Sequence, residues 1–165
     1  MPKKLYKILA INPGSRYIGV ALFHGYALRD WRVKNIRASC QNQRLIKTKE
    51  FITSLIDRYK PDALAIKALH PSRTSQNLSR LARQIQLLAR SKRLKIRRYS
   101  IRDLKKFLSA TERINKARLA EILADKYPGL LHELRKEQNS RNPYHIRMFE
   151  AVALGAVCSQ QLNKN

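Results

Sequence analysis

Lys7-Ile-Leu-Ala-Ile-Asn12-Pro13-Gly14-Ser15-Arg16-Tyr-Ile-Gly19-Val-Ala-Leu-Phe23 is the stretch whose reading decides the fold. An apolar run, Ile8 to Ile11, ends on the polar Asn12. The chain turns at Pro13-Gly14 and returns as a second apolar run through Ile18, Val20 and Leu22. Proline presets a turn dihedral and glycine accepts the reversed one, so the stretch predicts two hairpin strands with Asn12 at the end of the first.

Working outward, residues 26–36 can supply a third strand with Trp31 and Val33 on one face. Residues 41–59 carry Leu45, Phe51, Ile52, Leu55 and Ile56 at helical spacing, and Pro61-Asp62 breaks that helix. Residues 63–66 are short and apolar, as a strand buried on both faces requires. A polar connection over 70–76 leads to a helix with Leu78, Leu81, Ala82, Ile85, Leu88 and Ala89 in one stripe. Residues 95–99 read as a fifth strand, and Ser100 with Asp103 as a capping box for a short helix through Leu108. Two more helices are expected, over 115–127 and 143–162, the last opened by Asn142-Pro143. Three hairpin-linked strands followed by alternating helices and strands predict an α/β fold: a mixed five-stranded sheet with helices on both faces.

Thirty-five Lys and Arg oppose eleven Asp and Glu in 165 residues, a formal charge of +24, with 44% apolar residues. One domain with a proper core is expected, 1–165. Self-repulsion on this scale calls for a polyanion, and the basic residues are spread along the chain rather than gathered on one amphipathic helix. Nucleic acid is therefore the expected partner, and a membrane is not. Cys40 and Cys158 have no metal-ligand spacing, and no signal peptide or spanning segment is evident, so a cytoplasmic protein with reduced or buried thiols is expected.

Three stretches resemble the RuvC-type Holliday junction resolvases of the ribonuclease H-like fold. Ile11-Asn12-Pro13-Gly14 stands where that family has Ile-Asp-Pro-Gly. Pro61-Asp62-Ala63-Leu64-Ala65-Ile66-Lys67 stands where it has Pro-Asp, apolar residues and Ala-Ile-Glu. Arg147-Met148-Phe149-Glu150-Ala151 stands where it has Asp-Ala-Ala-Asp-Ala. The resemblance implies a ribonuclease H-like sheet and four carboxylates holding two divalent cations for phosphodiester cleavage. In this chain those positions read Asn12, Lys67, Arg147 and Glu150. Taken singly, the Asn is a turn former and the Lys and Arg are surface charges. Taken together, three missing carboxylates at three matched positions imply a vestigial catalytic centre. No metal and no cofactor are then expected. Mg²⁺ enters only under the alternative of an active or weakly active junction endonuclease. Among spare acids, Asp62 lies toward the far end of its strand, and Glu133 and Glu137 are read as partners of Arg135, Lys136 or Arg141.

For nucleic-acid binding the candidates are Lys67, His70, Arg73, Arg80, Arg83, Arg113, Lys116, Arg118 and Arg147. Basic residues crowd 73–98, of which Arg73, Arg80 and Arg83 fall opposite or flanking the apolar stripe of their helix, and arginine forks suit phosphates. The resemblance implies that Lys116 contacts the scissile phosphate and that a residue near His70 stacks on a base. Tyr99, Tyr144 and His145 are further stacking candidates. It also implies a homodimer, for which the stripe Leu78, Leu81, Ile85, Leu88 could supply an interface. The sequence leads to an inactive RuvC-like protein binding branched or structured nucleic acid, with an active endonuclease or a structured-RNA or ribosome-associated protein as the alternatives.

Overall fold

The computed structural model describes residues 3–109, 112–139 and 144–164, with the backbone alone at Tyr144. The first three strands, β1 (Lys7–Asn12), β2 (Tyr17–His24) and β3 (Ala27–Asn35), form an antiparallel meander. Helix α1 (Gln41–Tyr59) crosses to β4 (Ala63–Lys67), which pairs parallel to β1, and α2 (Gln76–Ser91) crosses to β5 (Lys95–Tyr99), parallel to β4. The sheet order is β3-β2-β1-β4-β5. Then follow α3 (Ile101–Leu108), α4 (Lys116–Lys126), α5 (Leu131–Gln138) and α6 (Tyr144–Asn163).

The strands separate two cores by alternation. Leu9, Ile11, Ile18, Val20, Leu64 and Ile66 face α1 and α2, burying Ile52, Leu55, Leu81 and Ile85. Ile8, Ala10, Ala21, Phe23, Ala63 and Ala65 face the other way, against α6, with α3 and α4 behind it. The small residues on this second face let α6 lie close to the sheet. A Cβ at Gly155 would stand 2.3 Å from Phe23 Cε2, and one at Gly19 would stand 1.9 Å from the Arg147 carbonyl oxygen. Helix α6 is consequently buried on most sides, from Ile146 to Cys158.

The five strands, the mixed sheet and its two helical layers match the sequence reading. At α3, Ser100 Oγ accepts from the Asp103 amide and the Asp103 carboxylate accepts from the Ser100 amide, both bonds of the expected capping box. Asn142-Pro143 lies outside the described residues. The stripe proposed as a dimer interface is corrected: Leu81 and Ile85 are 1% and 0% exposed, and Leu78 and Leu88 pack on the same core, so it covers the chain's own sheet. Among the described residues, no helix is long and apolar enough to cross a membrane.

Candidate nucleic-acid interface

Parity along the strands sets the site. Ile8 and Ala10 face α6, so Asn12 faces α6. Ala63 and Ala65 face α6, so Lys67 does as well. The parallel register pairs Ile11 with Ile66, which puts the next residue of each strand side by side at one end of the sheet. Above them, Arg147 and Glu150 lie one helical turn apart on α6. Asn12 and Lys67 are the last residues of β1 and β4, and open α/β sheets bind ligands outside the carboxyl ends of their strands.

Asn12 is fully buried, and burying an amide without partners is costly. Its Nδ2 donates to Glu150 Oε2 at 2.9 Å and to the Arg147 carbonyl at 3.2 Å. The Lys67 ammonium donates to the same Glu150 Oε2 at 2.9 Å, with side chains 20% and 4% exposed. Asn12 Oδ1 has no hydrogen-bond partner among the described residues. Arg147 is half-buried, and its guanidinium lies over Gly14, where a Cβ would come within 3.1 Å of Cζ.

This donor set does not fit a pair of divalent cations. Hard cations need several oxygens, preferably anionic. Here one carboxylate serves, and one of its oxygens already accepts from an ammonium and an amide. A cation beside it would meet the Lys67 charge at contact range. Asn12 Oδ1 is one further, uncharged oxygen. Among the described residues no group of three or more His, Cys, Asp or Glu gathers. Asp62 is at the start of β4, accepting from the Lys7 amide at 2.9 Å and pairing with Lys4 at 3.1 Å.

The basic candidates divide. Lys67, Arg83 and Arg98 line one cleft of about 460 Å³ between the end of β4, α2 and β5. Arg98 was visible in the sequence only as one of a crowd; its parity on β5 turns it to the α2 side, opposite Tyr99. Arg73, ahead of α2, and Arg80, on α2, are exposed but do not line this cleft. His70 is exposed, and its Nδ1 accepts from the Ser72 amide at 3.3 Å, capping a short 3-10 turn over Pro71–Arg73.

Arg113 and Lys116 are exposed at the start of α4. Arg118 is largely neutralised, its Nε donating to Glu112 at 2.8 Å and its Nη1 to Glu121 at 3.1 Å. Tyr99 is corrected as a stacking residue: it is 6% exposed and its hydroxyl donates to Gln161 Oε1 at 2.7 Å. His145 is also held inward, 3.3 Å from Glu133 Oε2; burial pushes its pKa down against the opposing Glu133 charge. The Tyr144 side chain and Arg141 lie outside the described residues.

Glu133 reaches Lys136 as read from the sequence, at 4.0 Å, and His145 as well. For Glu137, Arg141, one of the partners read from the sequence, lies outside the described residues. The Glu137 Oε2 is buried with no hydrogen-bond partner among the described residues, and among those residues Lys116 supplies an opposing charge. Burial raises its pKa, and Lys116 opposes only in part. A raised carboxyl pKa means that the fold favours the protonated form. Its contribution is present below the unfolded value and lost as pH rises through the folded one. Glu137→Gln is therefore expected to raise Tm at pH 7 and to leave it unchanged near pH 4, measured by thermal unfolding at the two pH values. A lower Tm at pH 7 would mean that the Lys116 attraction outweighs burial.

Comparison with known proteins agrees with this architecture. Solved structures similar to this chain include Thermus thermophilus RuvC, at 15% identity and a TM-score of 0.71, covering 94% of this chain and 95% of that one. The same organism's RuvC in complex with a Holliday junction substrate aligns at 14% identity and a TM-score of 0.67, covering 95% of each chain. The yeast mitochondrial Holliday junction resolvase Ydc2 aligns at 10% identity and a TM-score of 0.69, covering 95% of this chain and 80% of its own. No curated protein sequence matches the chain. The family model described as crossover junction endodeoxyribonuclease RuvC matches residues 8–154, and with the sheet order and the residues at its strand ends this places the chain in the RuvC family.

Proposed function

We propose that this protein binds branched nucleic acid, four-way DNA junctions foremost, and does not cleave it. The observation that carries the reading is the Lys67 ammonium bonded at 2.9 Å to Glu150, the one carboxylate at the old centre. Fixed side-chain charge stands where catalysis would need exchangeable metal charge. Arg147 adds a guanidinium over Gly14, and the cleft beside Lys67 adds Arg83 and Arg98. Such an array attracts a phosphodiester but offers no cation to activate water or stabilise a leaving oxygen. Family membership, the junction bound by Thermus RuvC and the net charge of +24 support the same partner. A homodimer would present two such centres to the two-fold symmetry of a junction, through a surface other than the buried stripe of α2.

The test is binding and cleavage on one labelled four-way junction, with duplex and structured RNA alongside. If about six phosphates are neutralised, affinity falls roughly 10³-fold between 50 and 200 mM salt. The junction should survive incubation with Mg²⁺ or Mn²⁺. Symmetric nicking abolished by EDTA would make the protein an endonuclease, and structured RNA bound more tightly than the junction would make RNA the partner.

A further inference from the structure

A second cleft, larger than the one beside Lys67, is also basic. It lies across the β1–β2 turn, about 600 Å³ in volume, between that turn, the β3–α1 connection and the starts of α1 and α2. Arg16, Arg37 and Arg44 line it, and no acidic residue does. Among the described residues none of the three pairs with a carboxylate, whereas Arg32 and Arg118 elsewhere on the chain do. Three cations gathered in one concavity without counter-charge repel one another, and the fold tolerates this only at a cost that an anion would remove.

The cleft is also held in shape. Arg44 Nη1 donates to the Ile36 carbonyl at 2.9 Å, and the Arg16 guanidinium lies 5.2 Å over the Tyr17 ring. Gln41 Nε2 reaches the Asn77 carbonyl at 3.5 Å, tying the first turn of α1 to that of α2. Neither first turn carries an acidic residue, so both helix starts add to the positive potential the arginines create. Ser15, on the cleft wall, is three residues from Asn12, so the cleft begins within about 10 Å of the old centre.

We propose that this cleft binds a backbone phosphate of the nucleic acid, a nucleotide or two along the strand from the phosphate at Lys67 and Arg147. The proposal rests on the binding function proposed above and extends it to a separate set of residues. Arg16 and Arg37 make the contact, and Arg44 holds the loop that presents Arg37. The bound strand then runs across the sheet end, from the Lys67–Arg83–Arg98 cleft over Gly14 to the Arg16–Arg37 cleft.

The experiment has two arms on the full chain. In the first, affinity for a labelled four-way junction is measured against salt for wild type, for Arg16→Gln with Arg37→Gln, and for a control of equal charge loss, Arg29→Gln with Lys49→Gln, both exposed and away from this end of the sheet. In the second, the arginine Nε–Hε resonances of wild type are titrated with inorganic phosphate. The cleft variant should lose about tenfold or more in affinity and about one unit of log–log salt slope, the share of one phosphate. The control should stay within about threefold, and phosphate should shift the Arg16 and Arg37 resonances. Equal losses in the two variants, with wild type still binding in a salt-dependent way, would overturn the cleft and leave the binding function standing. Absence of salt-dependent binding by wild type would overturn the function and nucleic acid as the occupant together. The phosphate arm would then decide whether an oxyanion site exists at all.

Discussion

Gly19→Ala is expected to cost about 3 kcal/mol of stability or more, among the largest effects of any single methyl group in this chain. Gly19 sits on β2 opposite Asn12, and the backbone of α6 presses directly onto it. A Cβ there would lie 1.9 Å from the Arg147 carbonyl oxygen, 2.3 Å from its carbonyl carbon and 2.9 Å from the Met148 nitrogen. All three are backbone atoms, so no side-chain rotation relieves the clash. The first turns of α6 must lift. That movement carries off the Arg147 carbonyl, which accepts from Asn12 Nδ2, and strains Glu150, which Asn12 and Lys67 share. At roughly 2–4 °C per kcal/mol, Tm should fall by about 10 °C, with junction affinity reduced alongside. Gly129→Ala gives the contrast, because its Cβ meets only the Trp31 ring edge, at 3.1 Å, which can yield. Thermal unfolding of both variants is the measurement. Equal, small shifts would mean that α6 is not pinned where this packing puts it.

The same close approach explains what could be read from the sequence. Strand parity was legible: the alternation Ile8, Ala10, Asn12 and Ala63, Ala65, Lys67 is local, and it puts both polar residues on one face. The capping box at Ser100 was legible because its two hydrogen bonds join residues three apart. The role of the α2 stripe was ambiguous, since an apolar face looks the same whether it meets its own sheet or another copy. Helix α5 went unassigned. Its sequence, Leu131 to Gln138, buries no side chain fully, and it is held by neighbours in α4 and α6 rather than by a stripe of its own. Glu137 has the same origin: Lys116, whose charge acts on it, is distant in sequence. The Arg16–Arg37–Arg44 cleft is assembled from the β1–β2 turn, the β3–α1 connection and the starts of α1 and α2. No window of sequence contains it, whereas the run of basic residues from Arg73 to Arg98 drew attention by being contiguous. Tyr99 shows the converse error, an aromatic beside basic residues that looks like a stacking platform and is a core residue with its hydroxyl satisfied by Gln161.

Reversing the charge of the old centre is expected to have the largest effect on binding. Lys67→Glu with Arg147→Asp should weaken junction binding about 100-fold in the absence of divalent cations, the loss of two charge-assisted contacts at the low end of their range. Because any loss of positive charge lowers the affinity of so basic a protein, the comparison is Arg29→Glu with Lys49→Glu, which changes net charge equally and lies away from the sheet end. That pair should cost only a few-fold. The reversed centre then gathers three carboxylates near Asn12, whose Oδ1 has no hydrogen-bond partner among the described residues, and the electrostatics invert: an added Mg²⁺ supplies the charge that the side chains gave. Part of the lost affinity should return with Mg²⁺ in the double variant and none in the control pair. Lys67→Glu alone should show no such return, because Arg147 still occupies the space over Gly14 and ligands of this kind act as a unit. Adding Asn12→Asp to the double variant should strengthen the Mg²⁺ response further, seen as a cation-dependent rise in Tm that wild type lacks. If the two charge reversals weaken binding equally and magnesium restores neither, the phosphate is not held at Lys67 and Arg147. The old centre would then be a bystander, and the strand would lie on the arginines of α2 and β5.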